Sequence, residues 1–183
     1  MSVSPRKVFV DAGSFDGDTT RIFLDKYPDA SEYAIYCFEP DPMFYGQLPE
    51  NVIAYNCAVS VRDGLTNFYI GKPKSSSLIG HKTSGNLSKQ PMTVRCIDFS
   101  RWMRLYSNCH VVLKMNIEGS EYDVLEKMLA EGTLSCVRDL YVDWHWDRIG
   151  VPKERHDRLQ ADLEKLDIPV TSLTNGYFLG VRV

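Results

Sequence analysis

The stretch KVFVDAGSFDGDTT, residues 7–20, decides the fold. Its first half is a short run of β-favouring apolar residues, Val8, Phe9 and Val10, with no polar alternation, as in a strand buried on both faces. Its second half, Asp11 to Thr20, carries Asp, Gly and Thr, the composition of a tight turn entering a capped helix. That helix is expected from Asp16 to Lys26, with Ile22, Phe23 and Tyr27 facing inward. A strand, a turn and a helix make the first half of a parallel unit, and the strand Ala34 to Glu39 completes it.

The same alternation continues along the chain. A third strand is expected within Val52 to Val59, and a β-rich pair at Asn67 to Ile70 and Thr93 to Ile97, separated by a polar loop from Gly71 to Gln90. His110 to Ile117 reads as a strand and Ser120 to Glu131 as a helix with Tyr122, Leu125, Met128 and Leu129 on one face. Val137 to His145 is a strand, and Lys153 to Leu166 a helix with an inward row of Leu159, Leu163 and Leu166. Pro169 to Leu173 and Tyr177 to Val183 close the chain as two strands about the turn Thr174-Asn175-Gly176. Strands alternating with helices predict an α/β fold, a doubly wound, mostly parallel sheet with an antiparallel C-terminal edge strand. A length of 183 residues fits one domain spanning residues 1–183.

Composition narrows the function. Lys plus Arg number 21 against 24 Asp plus Glu, a net charge of −3; a dedicated nucleic-acid binder needs clustered phosphate-neutralising cations, so no nucleic-acid partner is expected. No apolar run approaches the roughly 20 residues of a membrane span, and Met1 to Lys7 lacks the apolar core of a signal peptide. Cys37, Cys57, Cys96, Cys109 and Cys136 are odd in number and unpaired in spacing, which predicts reduced core residues and a cytoplasmic setting with no membrane partner.

In a doubly wound sheet, ligands bind beyond the carboxyl ends of the strands. The turn Asp11-Ala12-Gly13-Ser14-Phe15-Asp16-Gly17 is such an end, and Gly13 and Gly17 allow a ligand to approach the backbone. Asp16 and Asp18 at the helix start repel a phosphate but suit a cofactor bearing positive charge, a sulfonium or an ammonium. The second strand ends in Phe38-Glu39-Pro40-Asp41-Pro42, placing a carboxylate where the ribose hydroxyls of an adenosine would be held. Glu39 fits either NAD or S-adenosylmethionine. The turn lacks the G-x-G-x-x-G pattern of a pyrophosphate site, which favours the methyl donor over an NAD(P)-dependent oxidoreductase.

A second acidic motif, Leu113-Lys114-Met115-Asn116-Ile117-Glu118-Gly119-Ser120-Glu121, also ends a strand. With a period of two, Lys114, Asn116 and Glu118 share one side, and Tyr141, Asp143, His145 and Asp147 alternate with Val142, Trp144 and Trp146 on a later strand. Neighbouring strands would gather Asn116, Glu118, Asp143 and His145 where a methyl acceptor must lie. A general-base histidine at 145, oriented by Asp143 or Glu118, is one reading; a histidine hydrogen-bonded among buried aromatics is another. A divalent metal on Glu118, Asp143 and His145 is a third, without specific spacing to recommend it. Glu118 and Glu121 also read as simple charge matching at a helix start. His156, in register with Leu159 and Leu163, reads as a packing residue at the core's edge.

These motifs together resemble the FkbM family of S-adenosylmethionine-dependent methyltransferases. The likeness runs through VFVDAGSFDGDTTRIF (8–23), YCFEPDPMFYGQL (36–48), NCAVSVRDG (56–64), SSSL (75–78) and LKMNIEGSEYDVLEKML (113–129). It implies a class I methyltransferase fold, Rossmann-like, and O-methylation of a hydroxyl on a small molecule or glycan, often a sugar. By that resemblance Asp11, Gly13 and Gly17, with Ser14, Phe15, Asp16 and Thr20 of the same turn, would line the methionine part of the cofactor. Glu39 with Pro40 would hold the ribose, and the turn from Asn56 to Ala58 would lie near the adenine. Lys114, Asn116, Glu118 and His145 would fall near the acceptor, with Asn116, where the family commonly has Asp, positioning the cofactor or the acceptor by hydrogen bonds. Acceptor recognition would then fall to the 71–90 loop, a second subunit of a homo-oligomer, or a further domain. A non-catalytic nucleotide-binding or interaction module, using Trp102-Met103 or the Trp144–Trp146 pair as a partner surface, is the remaining alternative.

Overall fold

The structure, a computed structural model, describes residues 7–45, 48–72, 74–173 and 175–183. β1 (Lys7–Ala12) is buried along nearly its whole length, and Gly13, at φ +80°, ends it by turning its N–H onto the Phe38 carbonyl at 2.9 Å. α1 (Asp18–Lys26) starts behind the left-handed Gly17, with Asp18 in its first turn and Lys26 in its last to oppose the helix dipole. β2 (Ala34–Phe38) stops at the prolines that follow. The short α2 (Pro42–Tyr45) begins with Pro42 at a position needing no N–H, while Asp41 accepts from Met43 N at 3.0 Å.

The third strand divides. β3 (Ile53–Tyr55) pairs with β2, whereas β4 (Ala58–Ser60) leaves the sheet to join β5 (Gly64–Phe68) and β6 (Met92–Asp98) in a small three-stranded sheet. The break falls at Asn56, whose side-chain amide donates to the carbonyls of Glu39 (2.9 Å) and Pro40 (3.2 Å). One apolar run thus contributes to two sheets, a split that hydrophobicity alone could not signal.

α3 (Phe99–Met103) carries Trp102 into an aromatic cluster with Tyr36, Phe38, Tyr55, Phe99 and Tyr106, and Met103 is fully buried. The Trp102-Met103 region is therefore core rather than an exposed partner surface. β7 (His110–Met115) leads through a turn into α4 (Glu121–Ala130), and β8 (Val137–Val142) into the single turn α5 (Trp146–Ile149). α6 (Lys153–Glu164) buries His156, Leu159 and Leu163, while Leu166 lies beyond the helix and is exposed. His156 meets the Tyr122 hydroxyl at 2.9 Å and stacks on Trp146, in keeping with a packing role.

The central sheet has six parallel strands in the order β3-β2-β1-β7-β8-β9, where β9 (Val170–Ser172) is the far edge. The antiparallel C-terminal element is a hairpin of its own, β10 (Tyr177–Phe178) on β11 (Val181–Arg182), packing Phe178 against Phe9 and Tyr141. The expected turn Thr174-Asn175-Gly176 therefore separates the parallel strand β9 from this hairpin rather than joining two antiparallel strands, and its first residue, Thr174, lies outside the described residues. Both faces of the sheet are covered, one by α3, α4 and α6 over Val8, Val10, Val111 and Leu113, the other by α1 and the hairpin over Phe9, Ile35 and Val112. Strand order reverses between β1 and β7, so the crevice of this sheet opens beyond Ala12 and Met115. All five cysteines are free and buried, and no helix among the described residues is long and apolar enough to cross a membrane.

Candidate active site

A cavity of about 460 Å³ lies at that crevice, within the range of small-ligand sites. Its floor is an ion pair at the switch point. Lys114 of β7 reaches across to β1, where its Nζ donates to Asp11 Oδ1 and to the Gly13 carbonyl, both at 2.8 Å, and Asp11 Oδ2 accepts from Thr19 (2.5 Å) and Thr20 (2.7 Å). Asp11 is fully buried and its oxygens are taken, so it braces the turn from behind; Thr20 and Gly17 stand behind the wall with it. Lys114 touches the cavity with two of its three donors already committed.

Gly13, Ser14, Phe15 and Asp16 form the wall above this pair. A Cβ at Gly13 would stand 1.9 Å from the Asn116 carbonyl, so β1 and β7 can approach this closely only with glycine here. Phe15 has a left-handed backbone, φ +48°, a strained conformation for a side chain of this size. The bond from its N–H to Glu39 Oε2, at 2.8 Å, and ring contact with Phe44 (centroids 3.8 Å apart) hold it there. Glu39 Oε1 accepts from Asp41 N at 2.8 Å. Burial chiefly pushes the Glu39 carboxyl up, to about 7, the two backbone N–H donors and Lys114 pulling against it and Asp41 with it. Glu39, Pro40 and Ala58 line the cavity, whereas Asn56 lies behind them as a backbone clamp.

Parallel pairing of Lys114 with Tyr141 and Met115 with Val142 sets the other end. Asn116, Glu118 and Asp143 all reach the cavity, as a period of two predicts. Asn116 Oδ1 is a buried acceptor with no partner among the described residues. Glu118 has φ +57° and is fixed by an ion pair with Lys82 and by the Ser77 hydroxyl, which donates to its carbonyl at 2.7 Å. Lys82 is itself buried and donates to the Ser75 carbonyl at 3.0 Å.

His145 is fully buried behind these residues and does not reach the cavity. Its Nδ1 meets Glu121 Oε1 at 3.1 Å; its Nε2 lies 3.4 Å from Glu118 Oε2 and 3.8 Å from Asp143 Oδ2, within ion-pair range but without a formed hydrogen bond. Burial alone would lower its pKa, but Glu118 and Glu121 outweigh burial and raise it to about 10. An imidazolium has no lone pair to take a proton, and in that form His145 is a cation among carboxylates. Burial likewise opposes ionisation of Glu118, yet His145 and Lys82 hold its carboxyl below the usual range. Asp143 differs: burial, with Glu121 and Glu118 nearby, keeps its carboxyl above the usual range despite His145 and Arg148. Among the described residues no group of three or more His, Cys, Asp and Glu is arranged to hold a metal ion.

The sequence leaves the buried roles of Glu121 and Lys82 unread. Glu121 is more than charge matching at a helix start: fully buried, it accepts from Ile117 N (2.9 Å) and Gly119 N (2.8 Å) as well as from His145. Its spacing after Glu118 was the available signal. Lys82 sits in a polar loop with no periodicity, and nothing local marks it as buried.

The sequence matches the methyltransferase FkbM domain over residues 11–158, from the floor aspartate to α6, and the chain belongs to that family. No curated protein and no solved structure matches the chain.

Proposed function

We propose that this FkbM-family methyltransferase moves a methyl group from S-adenosylmethionine to a hydroxyl oxygen of a small molecule or glycan, with a sugar as the acceptor class. The observation that carries the cofactor reading is the pairing of Glu39 with the Gly13–Asn116 crossing. Glu39 has spare lone pairs at the tip of β2, beside Phe15 and Phe44, where a ribose and a flat base fit. The orphaned Asn116 Oδ1 suits an ammonium donor, and the acidic wall at Asp16 suits a cation better than a pyrophosphate.

When bound, the cofactor supplies an electrophilic methyl carbon on a positively charged sulfur, which departs as a neutral thioether. The chain's own part is to hold the acceptor oxygen in line, potentially worth up to roughly 7–11 kcal/mol, and to take its proton. Asp143 is the group placed for the second task. It lines the cavity, its carboxyl is the more basic of the two acids there, and the imidazolium of His145 steadies it once ionised. The acceptor's O–H breaks toward Asp143 as the new O–C bond forms. Glu118, committed to Lys82 and His145, shapes the wall.

A thermal-shift comparison tests the cofactor. Saturation at 100 times Kd adds about 2.7 kcal/mol, so S-adenosylmethionine and S-adenosylhomocysteine should each raise Tm by roughly 5–10 °C, with NAD and NADP inert. A shift with NAD or NADP alone would overturn the proposal.

The raised pKa of Glu39 adds a signature. Below pH 7 the free protein holds Glu39 protonated, and hydroxyl donors from a ribose favour the ionised form. Affinity for S-adenosylhomocysteine should therefore fall by up to about tenfold per pH unit as pH drops from 7 toward 5.5, and level off above 8. Calorimetric titration showing a flat profile across that window would remove Glu39 from the nucleoside site.

A further inference from the structure

The segment between β5 and β6 is a built wall of the cavity. Tyr69 and Ser77 bridge it at its base, Lys72 N bonds the Gly85 carbonyl at 2.7 Å, and Thr83 N bonds the Arg148 carbonyl at 2.7 Å. Buried Lys82 ties it to Glu118 and to the Ser75 carbonyl. Two further lysines of this wall, Lys72 and Lys74, line the cavity, and Arg148 of α5 joins them there.

Most carboxylates of the same cavity are already engaged: Glu39 and Asp41 accept from backbone N–H groups and Asp18 pairs with Arg21. Glu118 is spent on Lys82 and His145. Neither Lys72 nor Lys74 has an ion-pair partner among the described residues, and Arg148 has Asp147, 3.9 Å away and exposed, with Asp143 close enough to feel its charge. Ser76 lines the same stretch, and its hydroxyl oxygen already accepts from Gly71 N at 3.0 Å, leaving its O–H free to donate outward. A cavity meant to receive a sulfonium gains nothing from further cations unless an anion enters with it, since like charges in a cleft repel. Three cationic side chains and a hydroxyl lining one cavity have the chemistry that recognises an oxyanion.

We propose that Lys72, Lys74 and Arg148 bind an oxyanion carried by the methyl acceptor, which makes the substrate a hydroxylated molecule bearing a carboxylate or a phosphate. This rests on the methyl-transfer reading of the same cavity. The two oxyanions share the chemistry of recognition, and a uronic acid and a sugar phosphate represent them.

The test is a thermal-shift series on the full chain, with and without saturating S-adenosylhomocysteine. The probes are inorganic phosphate, glucuronate, glucose 6-phosphate and neutral glucose, each against potassium chloride of equal ionic strength. Phosphate at about ten times its Kd should raise Tm by roughly 3–5 °C. Glucuronate exceeding glucose 6-phosphate would assign a carboxylate, the reverse a phosphate, and glucose should do nothing. In the Lys72→Ala/Lys74→Ala variant the anion shift should vanish while the S-adenosylhomocysteine shift persists, both side chains being exposed and their removal harmless to folding. No anion shift in the unmodified protein, or an equal shift in the variant, overturns the site. Loss of the S-adenosylhomocysteine shift in the variant reassigns the cations to the cofactor's own carboxylate and overturns it too. An anion shift without any S-adenosylhomocysteine shift in the unmodified protein supports the anion site and sinks the methyl-donor reading.

Discussion

Lys114→Met should lower the free energy of unfolding by about 3–5 kcal/mol, because it breaks a buried ion pair and leaves its partner charged and dry. Lys114 and Asp11 are both nearly inaccessible to water, and among the described residues the ammonium is the only cation bonded to that carboxylate. Without it Asp11 keeps two threonine hydroxyls, and the Gly13 carbonyl loses its side-chain donor. For a chain of this size the loss corresponds to a fall in Tm of roughly 6–20 °C. The remedy is as informative as the lesion: Asp11→Leu combined with Lys114→Met removes both charges and should recover much of the stability. Urea unfolding of the two variants measures this directly. A single variant within about 1 kcal/mol of the parent would show that water reaches this floor and that the pair does not organise the switch point.

The same pair shows which parts of the site a sequence can declare. A run such as Val8-Phe9-Val10 has no reason to exist except burial on both faces, so the parallel sheet follows from it. Once β1 and β7 are neighbours, periodicity two delivers Asn116, Glu118 and Asp143 to one edge, and Gly13 marks where two backbones cross. Properties set by long-range partners stay hidden. The charge of His145 depends on Glu121, which reaches it only because α4 begins beside the end of β8. The order of the 71–90 wall depends on Lys82 meeting Glu118 and on Thr83 meeting Arg148, contacts that leave no periodic trace. The split of the third strand depends on an asparagine side chain bonding to carbonyls 16 and 17 residues away.

The division of labour between Asp143 and His145 yields the largest kinetic effect. Asp143→Asn keeps the side chain's size and removes its basicity, so kcat should fall by about 10²–10⁴-fold while the affinity for S-adenosylhomocysteine stays within about twofold. The pH profile separates the two candidate bases by sign. A histidine with a pKa of about 10 is protonated through the neutral range, so as a base it would make kcat climb about tenfold per pH unit from 6 toward 10. A carboxylate base titrates on the acid side of that histidine, so kcat should rise only through the Asp143 titration, which burial moves upward, and then level off without the climb toward pH 10. His145→Gln should also reduce turnover, by a different route: Glu118, Glu121 and Asp143 would face one another without their shared cation, and each would hold its proton more tightly. The acidic limb of that variant should consequently move to higher pH, a displacement that loss of a histidine base would not produce. A steady climb of kcat to pH 10 in the parent, abolished in His145→Gln and retained in Asp143→Asn, would return the role of base to His145.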